Sequence, residues 1–418
     1  MTASDTHRAI EAVWRIESAR LIAGLMRIVR DVGVAEELAQ EALVSALEQW
    51  PHSGVPDNPG AWLMAAARHK AIDQVRRSAM IERKHAEIAR ESDGQEGSAE
   101  RLVEAIDDPI GDDLLRLLFI ACHPILSREA RIALTLRLLG GLTTVEVARA
   151  FLSTEQTIAQ RIVRAKKTLA DARVPFEVPR GADLDKRLSS VLEVVYLIFN
   201  EGYSATAGED LIRPSLCLEA MRLGRILAGL MPANAEVHGL LSLMELQASR
   251  SRARTNSAGG PILLLDQDRA RWDHLLIQRG LAALERAEGL NAHRGRYALQ
   301  AAIAACHARA HVADETDWAR IAALYEELEE LEPTPVIRLN RAVAISMAFG
   351  PEAALVLVNE LVSEGELERY HLLPSVRGEL LYRLRRFDEA RTEFERAASL
   401  TSNMRERKLL LERAASSK

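Results

Sequence analysis

The stretch GLTTVEVARAFLSTEQTIAQRIVRAKKTLADARV, Gly141 to Val174, decides the fold class. Thr143 with Glu146 three residues on is a capping box, which satisfies two orphan N–H groups and starts a helix. Val145, Val147, Ala148 and Phe151 give that helix an apolar side. Ser153 and Gln156 repeat the box ten residues later. One short helix is therefore predicted to end near Ala150 and another to begin near Thr154, joined by a Phe-Leu-Ser turn. Two helices so joined form a helix-turn-helix. In the second helix Ile158, Ile162, Ala165 and Leu169 recur at helical spacing and predict a buried stripe. Its other side carries Glu155, Gln156, Gln160, Arg161, Arg164 and Lys167, side chains that read base edges near a helix N-terminus and grip phosphates further along. From Arg161 to Arg173 the charges are Arg161, Arg164, Lys166, Lys167 and Arg173 against Asp171. A solvated basic face would account for that charge alone. The caps, the short first helix and the basic second helix together point to DNA recognition.

The rest of the chain sets the context for this block. Its 418 residues suffice for two or three domains. Hydrophobic residues make up 48% and aromatics 4%, with Ala, Leu, Arg and Glu dominant, a mix that favours helices over strands. The expected fold class is all-α. The net charge of −6 argues against a chain coated in nucleic acid but allows DNA binding by one segregated block. Cys122, Cys217 and Cys306 lie far apart in apolar contexts and read as buried hydrophobes, neither disulfides nor metal ligands. Met1 to Arg20 shows no secretory pattern, and no run of about 18 apolar residues spans a membrane. The expectation is a cytoplasmic protein without cofactor or metal. No phosphate loop, nucleophile motif or metal-spaced His/Cys set suggests an enzyme.

Four parts follow from composition: residues 8–78, strongly helical; 79–110, a polar, acidic linker; 111–174, the block containing the helix-turn-helix; and 180–418, helix after helix, beyond prolines at 175 and 179. In the first part, DVGVAEELAQEALVSALEQW (31–50) turns Leu38, Ala42, Leu43, Ala46 and Leu47 inward and presents Glu36, Glu37, Gln40 and Glu41 on an acidic-polar face. The next helix opens at Pro59, with Trp62, Leu63, Ala66, Ile72 and Val75 as its apolar stripe. Arg68, His69, Lys70, Arg76 and Arg77 make its polar side basic. Asp73 reads as a structural partner for a nearby arginine.

These motifs together resemble the extracytoplasmic-function group of sigma-70 factors. Asp112 to Arg173 is similar to sigma region 4, with a leucine-rich helix (Leu114 to Ala121), Pro124 to Glu129, and Arg164-Ala165-Lys166 closing the helix-turn-helix. The resemblance implies contacts to a −35 promoter element from Glu155, Gln156, Thr157, Gln160, Arg161, Arg164 and Lys167. Ala35-Glu36-Glu37-Leu38-Ala39-Gln40-Glu41 resembles the region 2 helix that docks on the clamp helices of the polymerase β′ subunit, with Glu37 where Asp is usual. It implies polymerase binding by Glu36, Glu37, Gln40 and Glu41. Ala67 to Arg77 resembles the helix that holds the −10 element, His69 standing where Asn is usual, and implies −10 contacts from Arg68, His69, Lys70, Arg76 and Arg77. The implied partners are core RNA polymerase, through β′ clamp helices and β flap, and promoter DNA.

In residues 180–418, Arg377 to Leu400 resembles a tetratricopeptide repeat: Gly378, Tyr382, Leu384, Phe387, Ala390, Phe394 and Ala397 fall at its packing positions, with Arg385 or Arg386 replacing the usual glycine. Asn340, Ala344 and Ala353 mark a weaker repeat. FNEGY (199–203), LDQDR-x-x-WD (265–273), LQAAIAACHA, TDW and LNRAVA are blocks of a subgroup with such an extension, whose implied role is regulation through a protein partner or by docking on the chain's own DNA-binding parts. Asp266, Asp268 and Asp273 read as helix caps paired with Arg269 and Arg271 rather than as a metal set. Asn200, Glu201 and Tyr203 read as loop-fixing hydrogen-bond formers. Two other readings remain open on the residues alone. One is a helix-turn-helix regulator with a ligand- or protein-binding repeat domain. The other is an interaction scaffold.

Overall fold

The computed structural model describes residues 3–89, 110–151, 153–203, 213–256, 261–291, 293–401 and 403–417. Among them the secondary structure is helical, with one isolated bridge between Thr255 and Pro261 and no β-strand, so the expected all-α class holds. The chain divides into two compact units, Met1–Val195 and Tyr196–Lys418.

The first unit begins with α1 (Ala3–Val29), α2 (Val32–Ser53) and α3 (Pro59–Ala89), each packed on the other two. Asp31 caps α2 by accepting from the Val34 amide at 2.9 Å, and Asn58 caps α3 by accepting from Ala61 at 3.0 Å. Pro59 sits at the first helical turn, where its missing N–H costs nothing. Ile22 and Leu25 of α1, Leu38, Ala42 and Trp50 of α2, and Leu63, Ala67 and Ala71 of α3 are buried. Trp50 meets Trp62 edge-on, ring centroids 5.4 Å apart. The stripe of α3 is thus turned from the expected one: Ala66, Ile72 and Val75 are only partly covered, because small residues at 67 and 71 let the helices approach. α3 continues to Ala89. The remaining linker residues, 90–109, lie outside the described residues.

α4 (Ile110–Ala121), α5 (Arg128–Leu138), α6 (Thr144–Ala150) and α7 (Glu155–Asp171) follow. Leu117, Leu118, Phe119 and Ile120 form the centre of this group with Leu134, Leu136, Val147 and Ile158. The first capping box is made as read: Thr143 N donates to Glu146 Oε2 at 2.8 Å, and Glu146 N to Thr143 Oγ1 at 3.2 Å. The second is displaced by one residue. Ser153 N closes the end of α6 on the Ala148 carbonyl at 2.9 Å, so Thr154 becomes the cap of α7, accepting from Thr157 N at 3.1 Å.

α8 (Ala182–Tyr203) crosses from one unit to the next. Its first half is fastened to the helix-turn-helix block. Ser190 Oγ donates to the Cys122 carbonyl at 2.6 Å, Arg187 to the Phe119 carbonyl at 2.8 Å, and Glu193 accepts from Arg128 at 2.7 Å. Burial pushes the Cys122 thiol up to about 12, so it stays protonated.

The second unit continues through α9 (Pro214–Leu230), α10 (Ala235–Ala248), α11 (His274–Leu290), α12 (Arg296–Arg309), α13 (Trp318–Leu331), α14 (Pro335–Phe349), α15 (Pro351–Glu364), α16 (Leu372–Arg383), α17 (Phe387–Leu400) and α18 (Met404–Ser416), mostly packed as consecutive antiparallel neighbours. Where α10 crosses α12, a Cβ at Gly239 would stand 2.7 Å from the Ala298 backbone nitrogen, so only glycine permits the approach. Gly378 faces the Phe394 ring, the small-against-large pair expected between α16 and α17. Arg385 holds φ +62° in the turn between them. Asp273 caps α11 through Leu275 and Leu276, and Asp268 accepts from Ala270. The expected pairing of these aspartates with Arg269 and Arg271 is not made. Arg269 instead donates to the carbonyls of His307 and Ala310, capping the end of α12.

Candidate polymerase and promoter interfaces

The polar face of α7 is exposed opposite a buried stripe. Ile158, Ile162, Ala165 and Leu169 are buried as the spacing predicts. Glu155, Gln156, Thr157, Gln160, Arg164 and Lys167 are exposed, and Arg161 is half-exposed. Thr157, Gln160, Arg161 and Arg164 border a concavity of about 350 Å³ that continues onto Leu126 and Ala130 at the start of α5. Glu129, at the first turn of α5, is held below the usual carboxylate range, first by a backbone hydrogen bond and also by Ser127 and Arg161. The side chains sit on one face because residues three and four apart stack on a helix.

The α3 set is less uniform. His69, Arg76 and Arg77 are exposed, whereas Lys70 is tied to Glu41 at 2.9 Å. Arg68 lines a cavity of about 930 Å³ bounded by α1, α3, α4 and the end of α7. Asp73 is exposed and forms no arginine pair among the described residues, contrary to the expected structural role.

On α2 the four residues of the acidic face separate. Glu37 and Glu41 are exposed, and Gln40 is half-buried. Glu36 is only 4% exposed. Its Oε1 accepts from Arg137 Nε at 2.6 Å and from Gln40 Nε2 at 2.7 Å, while Oε2 is ion-paired with Lys166. Burial pushes the Glu36 carboxyl upward, but Lys166 and Arg137 outweigh it and hold the group below the usual range. Arg137 lies on α5 and Lys166 on α7, so a carboxylate of the first helical block is clamped by two cations of the second. A further bridge, Arg27 to Asp113 at 3.6 Å, joins α1 to α4. No local pattern signals this clamp, since nothing in the sequence links residues 36, 137 and 166. The basic surplus at Lys166 was legible, but its partner was not.

Comparison with known proteins agrees with this architecture. Residues 16–80 match the Sigma-70 region 2 model, 116–169 the Sigma-70 region 4 model, and 187–288 a family of unknown function, DUF6596. An uncharacterised protein of Rhizobium meliloti is 45% identical over 387 residues, covering 91% of this chain and 89% of its own. The "Probable ECF RNA polymerase sigma factor SigI" of Mycobacterium tuberculosis is 27% identical over 172 residues, covering 41% of this chain and 58% of its own. The chain belongs to the extracytoplasmic-function sigma-70 family. The "ECF RNA polymerase sigma factor SigK" of Mycobacterium bovis is 28% identical over 159 residues, 36% of this chain and 78% of its own. This sigma factor is therefore an RNA polymerase sigma factor with a C-terminal extension. Its families act in transcription initiation with core RNA polymerase and promoter DNA. Among the described residues no helix is long and apolar enough to cross a membrane, and no His/Cys/Asp/Glu group is arranged to hold a metal.

Proposed function

We propose that this sigma factor directs initiation from a closed state in which region 4 covers part of the polymerase-binding face of region 2. Glu36, Glu37, Gln40 and Glu41 contact the β′ clamp helices; Arg68, His69, Lys70, Arg76 and Arg77 hold the −10 element; Glu155, Gln156, Thr157, Gln160, Arg161, Arg164 and Lys167 read the −35 element. The β flap receives region 4, the chain catalyses nothing itself, and it works in the cytoplasm. The observation that carries this reading is the Glu36 carboxylate held between Arg137 and Lys166. Core polymerase must compete for that carboxylate, so recruitment and opening are one event. Breaking a nearly buried carboxylate away from its cations is costly unless new partners replace them. A polymerase surface supplying cations to α2 does so, after which Lys166 returns to the basic face of α7.

The C-terminal extension is assigned a regulatory role, through a protein partner or by docking on the DNA-binding parts. The helical array supports this because stacked helix pairs expose extended surfaces. Purified protein and a Glu36/Glu37/Gln40 triple alanine variant are compared for capture of core polymerase. Capture by wild type and not by the variant is the expected result. Equal capture by both contradicts the assigned face. Removal of the chain after Tyr203 leaves Ser190 and Glu193 in place and should change promoter output; unchanged output overturns the regulatory role.

A further inference from the structure

Several separated sequence blocks meet at one place in the second unit. Arg250 donates to the Tyr203 hydroxyl at 2.8 Å, with its guanidinium carbon 5.9 Å from the Tyr203 ring and 5.8 Å from that of Trp272. Arg254 also stacks on Tyr203, its guanidinium carbon 3.8 Å from the ring, and donates to the Tyr203 carbonyl. Arg269 stands 4.9 Å from the Trp272 ring. Three guanidiniums thus share two aromatic rings, and none of the three has a carboxylate within ion-pair distance among the described residues. Glu406 and Glu315 act on Arg254 and Arg269 only from further off. Glu406 is taken by His371 and Thr401, and Glu315 by the His311 amide.

Buried polar atoms without partners lie in the same cluster. Trp272 is 3% exposed, and among the described residues neither its Nε1–H nor the Arg269 Nε–H has an acceptor. His307, 8% exposed, has an unpartnered Nδ1. Burial, reinforced by Arg250 and Arg269, pushes it down to about 3, so it is neutral and adds no countercharge. A buried donor without an acceptor is costly, and guanidiniums gathered without an anion repel one another. Among the described residues the three cations have no carboxylate partner, and two buried N–H donors of the cluster have no acceptor. Arginine's planar fork suits oxyanions, whether phosphate or carboxylate.

We propose that the Arg250, Arg254 and Trp272 cluster binds an oxyanion, so that the C-terminal extension of this sigma factor takes a small phosphorylated or carboxylated ligand. The inference is independent of how regions 2 and 4 engage polymerase. Full-length protein is titrated calorimetrically with inorganic phosphate and, separately, with acetate, each against chloride at matched ionic strength. The expected result is saturable binding of one oxyanion, with the two arms separating phosphate from carboxylate chemistry. Arg254→Gln and Trp272→Phe each weaken that binding about tenfold or more, the second by removing the indole N–H donor while keeping an aromatic ring beside the arginines. Circular dichroism checks both folds, and Trp272→Phe decides if Arg254→Gln does not fold. No saturable heat above chloride for either oxyanion, or wild-type affinity in Trp272→Phe, overturns the proposal.

Discussion

The polar face of α2 and that of α7 look alike in sequence and differ in the folded chain. Both are stripes of charged and amide side chains opposite a buried apolar edge. That of α7 stands open, with Gln156, Gln160 and Arg164 exposed and Arg164 without a carboxylate partner among the described residues. That of α2 is partly spent, with Glu36 covered and held from two sides, Gln40 bonded to it and Glu41 tied to Lys70. The difference lies in which charge the interior takes. The Glu36 carboxylate is held by Arg137, Gln40 and Lys166, while of the four cations of α7 only Lys166 is drawn into that arrangement. On the proposed reading, the face assigned to DNA is open and the face assigned to polymerase is withheld.

The largest way to break that contrast is Glu36→Ala. It removes the clamp and the assigned polymerase contact together, leaving Arg137 and Lys166 half-buried without a counterion. A loss of roughly 3–5 kcal/mol in the closed arrangement is expected, with loss of core capture. Chemical denaturation and pull-down read the two effects. Lys166→Gln separates them, because it loosens the clamp and leaves α2 intact. Core capture should strengthen by about 5–30-fold, the equivalent of one to two kcal/mol, in a binding titration. On the open side, Arg161→Ala and Arg164→Ala should each weaken −35 duplex binding by about 1–3 kcal/mol without altering core capture, as read by fluorescence anisotropy.

Acid sharpens the comparison further. The Glu36 group is depressed when folded, so its stabilisation is present above the ordinary glutamate value of 4.5 and is lost as pH falls through the lowered folded value. Closure should weaken there, as seen by a compactness measurement across that range, while at near-neutral pH it should not change. The smallest effect is expected away from both faces. Arg385→Gly relieves a left-handed residue at φ +62° and should stabilise the second unit by up to about 1 kcal/mol in thermal unfolding.

Much of this was legible in the chain because it is local. The Thr143 box, the Ile158 to Leu169 stripe, the Pro59 start and the small-against-large pair of Gly378 and Phe394 depend on residues within one or two helices, whose spacing carries the information. The position of the glycine substitute was narrowed to Arg385 or Arg386, and backbone conformation selects Arg385. The second cap was missed by one residue because Ser153 was needed to finish α6. Asp268 and Asp273 were rightly read as caps, but Arg269 went to the α12 carbonyls, a demand set by residues some 40 positions away. The Glu36 clamp lay beyond sequence reasoning for the same reason: its partners are brought together by tertiary packing alone.

The most direct test places fluorophores at the exposed residues Ser53 of α2 and Asp171 of α7 and follows energy transfer between them. High transfer is expected in the free protein, lower transfer on adding core polymerase, and lowered transfer in Lys166→Gln without polymerase. Equal transfer in all three would contradict the claim that Glu36 latches region 2 to region 4.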